Sequence, residues 1–379
     1  MRRIALYLTA LAVTAALISP TGAVSTSASS AILMDLDSGR VLHEHNADDI
    51  RLIASITKLM TALVAVEREP DLSREITVRA EWLNTEGSMI YLRAGENVTM
   101  ETLLYGLLLE SGNDAAMVIA CACAGSEAAF AALMNEKAAE LGMTRSRFAN
   151  ASGLNADNHY STARDMARAA AACLKNETLA KICAAKSVTV GGRTFTNHNR
   201  LLSLYDGCVG MKTGYTQRAG RTLVSAARRD GQTLIAVTLN DPDDWKDHAA
   251  LLDYGFEHYP AKQLARADEV VGCVPVEGSL VRFADVAAGA DFCYPLAEGE
   301  CAEVRVEYAD LAAAPVFAGQ TAGRMVYTVN GVEVGSVELR YAQTVRRDIF
   351  PENRTLLQRI LSGIFGTTVT VSGSGVGLI

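Results

Sequence analysis

Three short runs of this sequence contain the residue types that acyl transfer through a serine requires. Ser55–Lys58 places a hydroxyl three positions before an amine, Ser111–Asn113 adds a hydroxyl and an amide, and Lys212–Gly214 adds a second amine before a threonine and a glycine. Any one run alone is weak evidence, because patterns this short arise by chance in a long chain. Each occurs once here, and together they predict a single site for nucleophilic catalysis.

Ser55 and Lys58 are the predicted nucleophile and general base. Residues three apart on a helix share one face, so the Lys58 amine can reach the Ser55 hydroxyl. The run Ala54–Val66 is apolar on every side, which predicts a buried helix. Burial disfavours the charged amine and Lys212 repels it, so both lower the pKa of Lys58 and favour a neutral base. The alternative interpretation is a helix-capping serine followed by a surface lysine.

Ser111 and Asn113 follow the apolar run Leu103–Leu109 and precede another predicted helix. A loop at this point can direct Ser111 toward the nucleophile, where its hydroxyl would relay a proton to the leaving amine. Asn113 would hydrogen-bond the amide backbone of the substrate. The alternative is that both residues only cap the helix that follows.

The third run opens a predicted strand. Gly214 has no side chain, so an extended peptide can lie beside the strand and pair with it. The backbone N–H groups of Ser55 and Tyr215 would form an oxyanion hole. The alternative interpretation is an ordinary edge strand, whose lysine prevents it from pairing with another chain. The hydroxyls of Thr213 and Thr216 would bind a terminal carboxylate. The predicted substrate-binding residues are Asn113, Lys212, Thr213, Gly214, Tyr215 and Thr216.

The elements that position these residues follow from the hydrophobic pattern. A hairpin is predicted between Ala31–Met34 and Val41–His43, and the Ala/Leu/Met-rich residues 101–175 predict helices. Residues 186–240 carry strand signals, and Asp244–Tyr259 predicts a helix that packs back on their sheet. The predicted fold class is α/β (α+β), with an antiparallel sheet flanked by helices.

Composition changes near residue 262, where short valine-rich segments with glycine turns begin. Val326–Val329 and Val332–Leu339 flank Asn330-Gly331, a strong hairpin signal. We therefore predict a catalytic domain at residues 29–262, followed by a small all-β domain at residues 263–345.

The N-terminal segment is typical of a secretory signal peptide. Arg2 and Arg3 precede the uncharged apolar run Ile4–Ile18, and small residues allow cleavage after Ala23 or Ala28. We assign residues 1–28 to the signal peptide and predict an exported protein at the outer face of the cytoplasmic membrane or in the cell wall. A retained membrane anchor is the alternative.

The C-terminal segment predicts a membrane-surface helix at residues 350–366. Within it, Arg354–Phe365 carries apolar residues at helical spacing with polar residues on the other side. The alternative is a helix that docks on the β domain. Residues 367–379 are rich in glycine, serine, threonine and valine and predict a mobile tail.

Charge and composition exclude other classes of protein. The net charge is −8, and the basic patch expected of a nucleic-acid-binding protein is not visible in the sequence. The eight cysteines match no zinc-binding spacing, so we predict neither a metal nor another cofactor. Cys273, Cys293 and Cys301 are close enough in sequence to pair in an oxidising compartment, but their spacing leaves the connectivity open.

The three runs, together with His159–Ala167, resemble the D-alanyl-D-alanine carboxypeptidases among the low-molecular-mass penicillin-binding proteins. The resemblance covers most of the chain after the signal peptide, and Pro315–Leu339 resembles the family's small C-terminal β domain. It implies the penicillin-binding/β-lactamase-like transpeptidase fold. The implied acyl-ester nucleophile, general base, proton relay and substrate-binding lysine are Ser55, Lys58, Ser111 and Lys212.

The resemblance also implies a reaction, the hydrolysis of the terminal D-Ala-D-Ala bond of peptidoglycan stem peptides. β-Lactam antibiotics would acylate the same serine. A D,D-endopeptidase, a β-lactamase and a non-catalytic wall-binding protein remain alternatives, although the Glu-x-x-Leu-Asn run of class A β-lactamases is missing between Asn113 and Lys212. Some family members bind the substrate carboxylate through an arginine, and Arg200 or His198 is the candidate here.

Overall fold

The computed structural model describes residues 24–348 of the 379-residue chain. The helix predicted at residues 350–366, the tail at residues 367–379 and most of the signal peptide lie outside the described residues. The described part forms two compact units.

The first unit extends to Ala261 and includes Pro295–Gly299. Its strands are β1 (Ser30–Asp35), β2 (Val41–His45), β3 (Glu75–Thr77), β4 (Asn97–Thr99), β5 (Ser187–Val190), β6 (Arg193–Thr196), β7 (Cys208–Thr216), β8 (Gly220–Arg229) and β9 (Gln232–Leu239). Its helices are α1 (Lys58–Arg68), α2 (Met100–Leu108), α3 (Asn113–Ala124), α4 (Glu127–Glu140), α5 (Ala163–Lys175), α6 (Glu177–Ala184), α7 (Leu201–Leu204) and α8 (Asp244–His258). Two 3₁₀ turns lie at Ala54–Thr57 and Ala80–Leu83.

Five strands form the central antiparallel sheet, in the order β2-β1-β9-β8-β7. Side chains alternate between its faces, as strand geometry requires. On β9, Ile235 and Val237 join the core formed with helices α1 to α6, whereas Leu234 and Ala236 join the core on the α8 side. The predicted antiparallel sheet flanked by helices is confirmed.

The buried helix predicted at Ala54–Val66 is confirmed, but it begins differently. Ala54–Thr57 form a 3₁₀ turn and the α-helix starts only at Lys58. Ala54 has a φ of +48°, outside the right-handed helical region, and the Thr57 hydroxyl donates to the Ala54 carbonyl at 2.8 Å. These two features tighten the chain into a turn immediately before α1.

The second unit, Lys262–Tyr294 and the residues from Glu300 onward, is built from strands. A six-stranded sheet has the order β14-β16-β17-β12-β11-β15, and β10 pairs with β13. The hairpin predicted at Asn330-Gly331 is confirmed, with positive φ at both turn residues. The strands are β10 (Ala261–Ala265), β11 (Val270–Glu277), β12 (Phe283–Ala288), β13 (Phe292–Pro295), β14 (Ala302–Tyr308), β15 (Ala312–Ala313), β16 (Thr321–Val329) and β17 (Val332–Tyr341).

No single helix between residues 24 and 348 is long and apolar enough to cross a membrane. Helices α3 and α4 reach the required length and hydropathy only as a pair, and that pair is bent by 84°.

Candidate active site

The Ser55 hydroxyl and the Lys58 amine meet at the start of α1. Lys58 Nζ lies 3.0 Å from Ser55 Oγ, and it also donates to Asn113 Oδ1 at 2.7 Å and to the Ser152 carbonyl at 2.6 Å. The Lys58 side chain is completely buried. Asn113 Oδ1 and the Ser152 carbonyl use both N–H groups of a neutral amine and leave its lone pair for the Ser55 hydroxyl, in the contact that the i, i+3 spacing predicts.

Burial governs the charge on this amine. The pKa of Lys58 lies well below its usual value, first because burial penalises the ammonium form and second because the charge of Lys212 repels it, while Asp114 acts in the opposite direction. Burial also lowers the pKa of Lys212 to about 7. Lys58 is therefore suited to accept a proton near neutral pH.

Residues of a neighbouring loop fix the turn that carries Ser55. His159 Nδ1 accepts from the Ala149 N–H at 3.1 Å, which leaves the ring proton on Nε2 to be donated to the Thr57 hydroxyl at 2.8 Å. Gly153 packs so closely that an added Cβ would lie 2.0 Å from the Ala54 carbonyl oxygen. The loop thus supports the turn from behind the serine.

Ser111 and Asn113 reach the same centre from the loop between α2 and α3. Ser111 has a φ of +63°, and its buried hydroxyl has no hydrogen-bond partner within residues 24–348. Asn113 Oδ1 accepts from Lys58, and its Nδ2 donates to the Glu86 carbonyl. Ser111 thus presents an unused donor and acceptor, and the Asn113 oxygen already holds the lysine.

Strand β7 brings the third run to the turn. Lys212 is buried, and its Nζ donates to the Thr213 carbonyl at 2.9 Å. An added Cβ at Gly214 would lie 2.8 Å from the Ser55 nitrogen and 2.5 Å from Thr222 Oγ1. The strand can approach the serine this closely only because residue 214 is glycine.

A cleft of about 310 Å³ opens in front of these groups. That volume lies at the small end of the usual range for ligand sites. We call it the Ser55 cleft and define it by its lining residues, Ser55, Ser88, Ser111, His198, Thr213, Gly214, Tyr215, Arg221, Asp244 and Trp245.

Eight of the nine residues predicted to form the site either line the Ser55 cleft or belong to the buried groups behind it. Thr216 is the exception, since its hydroxyl contacts Asn155 Oδ1 at 3.1 Å and accepts from the Ala219 N–H. Of the two side chains considered for the carboxylate, His198 lines the cleft, with its Nε2 3.2 Å from a Glu110 carboxylate oxygen, whereas Arg200 is not among the lining residues.

One wall of the Ser55 cleft was not predicted from the sequence. Arg221 on β8 lies directly opposite Tyr215 on β7. Its guanidinium binds both carboxylate oxygens of Asp244, at 3.0 and 2.7 Å, and lies 5.4 Å from the Trp245 ring centre. The turn between β7 and β8 sets the register that places Arg221 here, but no residue near it in the sequence marks it as part of the site.

The site is built from side chains that do not cluster as metal ligands. In the described part of the chain, no group of three or more histidine, cysteine or acidic residues could hold a metal ion.

Comparison with known proteins agrees with this geometry. The family model described as D-alanyl-D-alanine carboxypeptidase matches residues 16–243, and the model of the penicillin-binding protein 5 C-terminal domain matches residues 259–347. The chain is 31% identical to the D-alanyl-D-alanine carboxypeptidase DacF of Bacillus subtilis, over 80% of this chain and 82% of that protein. It is 32% identical to DacC of Escherichia coli, over 80% of each.

Solved structures show the same fold. Penicillin-binding protein 5 from Haemophilus influenzae has a TM-score of 0.70 at 27% identity, covering 85% of this chain and 98% of that one. A peptidoglycan synthesis regulatory factor (PBP3) from Streptococcus pneumoniae has a TM-score of 0.76 at 25% identity, covering 85% and 100%. The predicted penicillin-binding-protein fold is confirmed, and the chain belongs to the D-alanyl-D-alanine carboxypeptidase family.

Proposed function

We propose that this protein removes the terminal D-alanine from peptidoglycan stem peptides through an acyl-enzyme on Ser55. The observation that carries the proposal is the buried Lys58 amine 3.0 Å from the Ser55 hydroxyl, with its pKa lowered. A buried neutral amine in hydrogen-bonding contact is a competent general base for a serine.

The reaction has two steps. Ser55 Oγ attacks the carbonyl carbon of the D-Ala-D-Ala bond while its proton moves to Lys58 Nζ. The backbone N–H groups of Ser55 and Tyr215 bind the oxyanion. The C–N bond then breaks, and the leaving D-alanine amine takes up a proton from Lys58 through the Ser111 hydroxyl. Lys58 next removes a proton from water, whose oxygen attacks the ester carbon. The bond from that carbon to Ser55 Oγ then breaks, Oγ takes up the proton from Lys58, and the shortened peptide leaves with a new carboxylate.

We propose that Arg221 binds the carboxylate of the terminal D-alanine. Among the described residues lining the Ser55 cleft, it alone carries a positive charge at every working pH. Its Nε and Nη2 bind Asp244, which orients the guanidinium and leaves Nη1 without a partner in the described part of the chain. Lys212 and the Thr213 hydroxyl would complete the carboxylate site, and the acyl part of the peptide would lie along β7.

One assay tests the main proposal. A pentapeptide ending in D-Ala-D-Ala should release D-alanine with the wild-type protein and none with Ser55→Ala, and fluorescent penicillin should label only the wild type. Failure of the wild type to release D-alanine or to label would contradict the proposal and favour a non-catalytic wall-binding protein. Rapid penicillin hydrolysis would identify a β-lactamase, and cleavage of cross-linked dimers an endopeptidase.

We also propose that residues 29–262 are the catalytic domain and residues 263–345 a separate β domain. The two family-model matches and the division into two compact units support this boundary. Expression of residues 29–262 alone tests it, since the isolated domain should still bind penicillin at Ser55.

We propose that the protein is exported after removal of residues 1–28, and that residues 350–366 hold it on the outer face of the cytoplasmic membrane. The basic and apolar leader pattern and the amphipathic spacing of Arg354–Phe365 support these two statements. Deleting residues 350–379 should release the protein from the membrane fraction, and unchanged fractionation would contradict the membrane-surface helix.

A further inference from the structure

The loop between β11 and β12 exposes three large apolar side chains within four residues. Leu280 is 80% exposed, Val281 49% and Phe283 52%. Isolated exposed apolar residues are common on protein surfaces, but a contiguous group at the tip of a loop marks a contact surface. We call Gly278–Phe283, which is the connection together with the first residue of β12, the β11–β12 loop.

This loop is held against the last described residue of the chain. The Asp348 N–H donates to the Gly278 carbonyl at 3.0 Å, and the Asp348 carboxylate accepts from the Ser279 hydroxyl and the Leu280 N–H. The last described residue, Asp348, therefore lies directly beside Leu280. The residues that follow are those whose sequence predicts an amphipathic membrane-surface helix.

Basic side chains accompany the apolar ones. Arg282 lies within the loop, and Arg346 and Arg347 immediately precede Asp348. All three are exposed, and an added Cβ at Gly278 would lie 4.0 Å from Arg347 Cγ. The loop itself binds the Asp348 carboxylate, and Glu277 and Asp285 are exposed acidic residues near the loop in the chain. Exposed apolar side chains with arginines nearby in the chain suit the interface of an anionic bilayer.

We propose that the β11–β12 loop is a second membrane-contact site, which inserts Leu280, Val281 and Phe283 into the interface of an anionic lipid bilayer beside the point where the C-terminal segment begins. The inference rests on the proposed membrane association. The loop contact differs from the proposed membrane-surface helix because the folded β unit itself makes the lipid contact. A loop and a helix bound side by side hold a domain on a surface more strongly than either alone, because the second contact forms at high local concentration.

The second unit offers a matched control. Val332 is 65% exposed and begins β17, whereas the β11–β12 loop lies near the other end of that ten-residue strand. At about 3.3 Å per residue the two sites are separated by roughly 30 Å. When the β11–β12 loop contacts a membrane, Val332 therefore lies away from the lipid.

The test is sedimentation of the full chain with vesicles of phosphatidylglycerol and phosphatidylcholine. Leu280→Asp combined with Val281→Asp should lower the vesicle partition coefficient by about tenfold or more, and Val332→Asp by less than about twofold. Binding should weaken in added salt and on pure phosphatidylcholine. Equal partitioning of the loop variant and the wild type would overturn the loop contact, as would a change in oligomeric state with no change in lipid binding.

A second readout does not depend on loss of binding. With vesicles present, Leu280→Trp should gain blue-shifted emission that brominated lipids quench, and Val332→Trp should not. If removal of residues 350–379 abolishes binding while the emission of the Leu280→Trp variant never responds to lipid, the helix proposal stands and the loop inference fails. If the wild type binds no vesicle of any composition, both fail.

Discussion

Gly214 on β7 and Ser55 in the 3₁₀ turn before α1 approach so closely that a single methyl group would not fit between them. An added Cβ at Gly214 would lie 2.8 Å from the Ser55 nitrogen and 3.1 Å from the nitrogen of Ile56. The two residues are far apart in the sequence, yet this contact places the serine beside the strand on which we propose the substrate lies. The geometry of the proposed oxyanion hole depends on it.

Replacement of Gly214 should therefore damage catalysis more than folding. In Gly214→Ala the new methyl group must displace the Ser55 turn or β7, so we expect kcat/KM for D-alanine release to fall on the order of 100-fold. Gly272→Ala is the control, because its added Cβ meets only the end of the Tyr308 side chain. Wild-type kcat/KM in Gly214→Ala would show that the close contact has no role in catalysis.

Lys58→Arg tests whether the amine acts as a base or only as a charge. Arginine keeps a positive charge but cannot lose its proton near neutral pH, so it cannot accept the proton of Ser55. We expect acylation by penicillin to slow by about 10²–10⁴-fold. Thermal unfolding should be measured alongside, because the buried site must accept a larger group. Penicillin acylation at the wild-type rate would rule out Lys58 as the general base.

Lys212→Met should shift the pH profile of acylation. The charge of Lys212 lowers the pKa of Lys58, so its removal should raise that pKa. Lys58 must be neutral to act, and a higher pKa moves the acidic limb of the rate profile to higher pH. The measurement is the penicillin acylation rate between about pH 4 and 9. Lys181→Met, which removes an exposed charge, should leave the limb in place.

The sequence was most informative where the determinant is local. Ser55 and Lys58 are neighbours on one turn, so their contact follows from spacing alone, and the Asn330-Gly331 hairpin follows from the backbone freedom of its two turn residues. The 3₁₀ form of Ala54–Thr57 could not be foreseen, because it depends on packing against Gly153 and His159 from a distant loop.

Arg221 is a residue of the cleft that could not be predicted from the sequence. Nothing near it in the sequence distinguishes it from other arginines, and its place in the Ser55 cleft arises from strand register and from Asp244 on α8. Arg200, which the sequence made a candidate, lies close to His198 in the chain, but only His198 lines the cleft. Long-range packing therefore decides which of these basic side chains lines the Ser55 cleft.

His159→Gln should alter the pH dependence of stability. Burial, with a smaller effect from Lys58, lowers the pKa of His159 to about 4, from 6.5 in the unfolded chain. Between these values the unfolded state takes up the proton and the folded state does not, so wild-type stability falls as pH drops from 6.5 toward 4. The contribution at pH 5 relative to pH 7 is about 2 kcal/mol.

Urea unfolding at about pH 5 and pH 7 measures this difference. His159→Gln should lose less stability between the two pH values than the wild type, while starting from a lower stability at neutral pH because the Thr57 contact is changed. His45→Gln, at an exposed position, serves as the control. Equal pH dependence of the wild type and His159→Gln would show that His159 does not carry the effect.

Arg221→Gln should change which C-terminus the enzyme accepts. If the guanidinium binds the terminal carboxylate, the wild type should prefer a peptide with a free carboxylate over the same peptide as its C-terminal amide. In Arg221→Gln, kcat/KM for the free acid should fall on the order of 100-fold, since a charge-assisted hydrogen bond is lost, while the value for the amide changes little.

Arg221→Lys should recover only part of the preference, because lysine cannot bind Asp244 and a carboxylate with the same planar fork. Ser55 labelling by penicillin should persist in every variant, which separates substrate recognition from the nucleophile. If Arg221→Gln keeps the full preference for the free acid, other groups bind the carboxylate, and Lys212 and Thr213 are the next candidates.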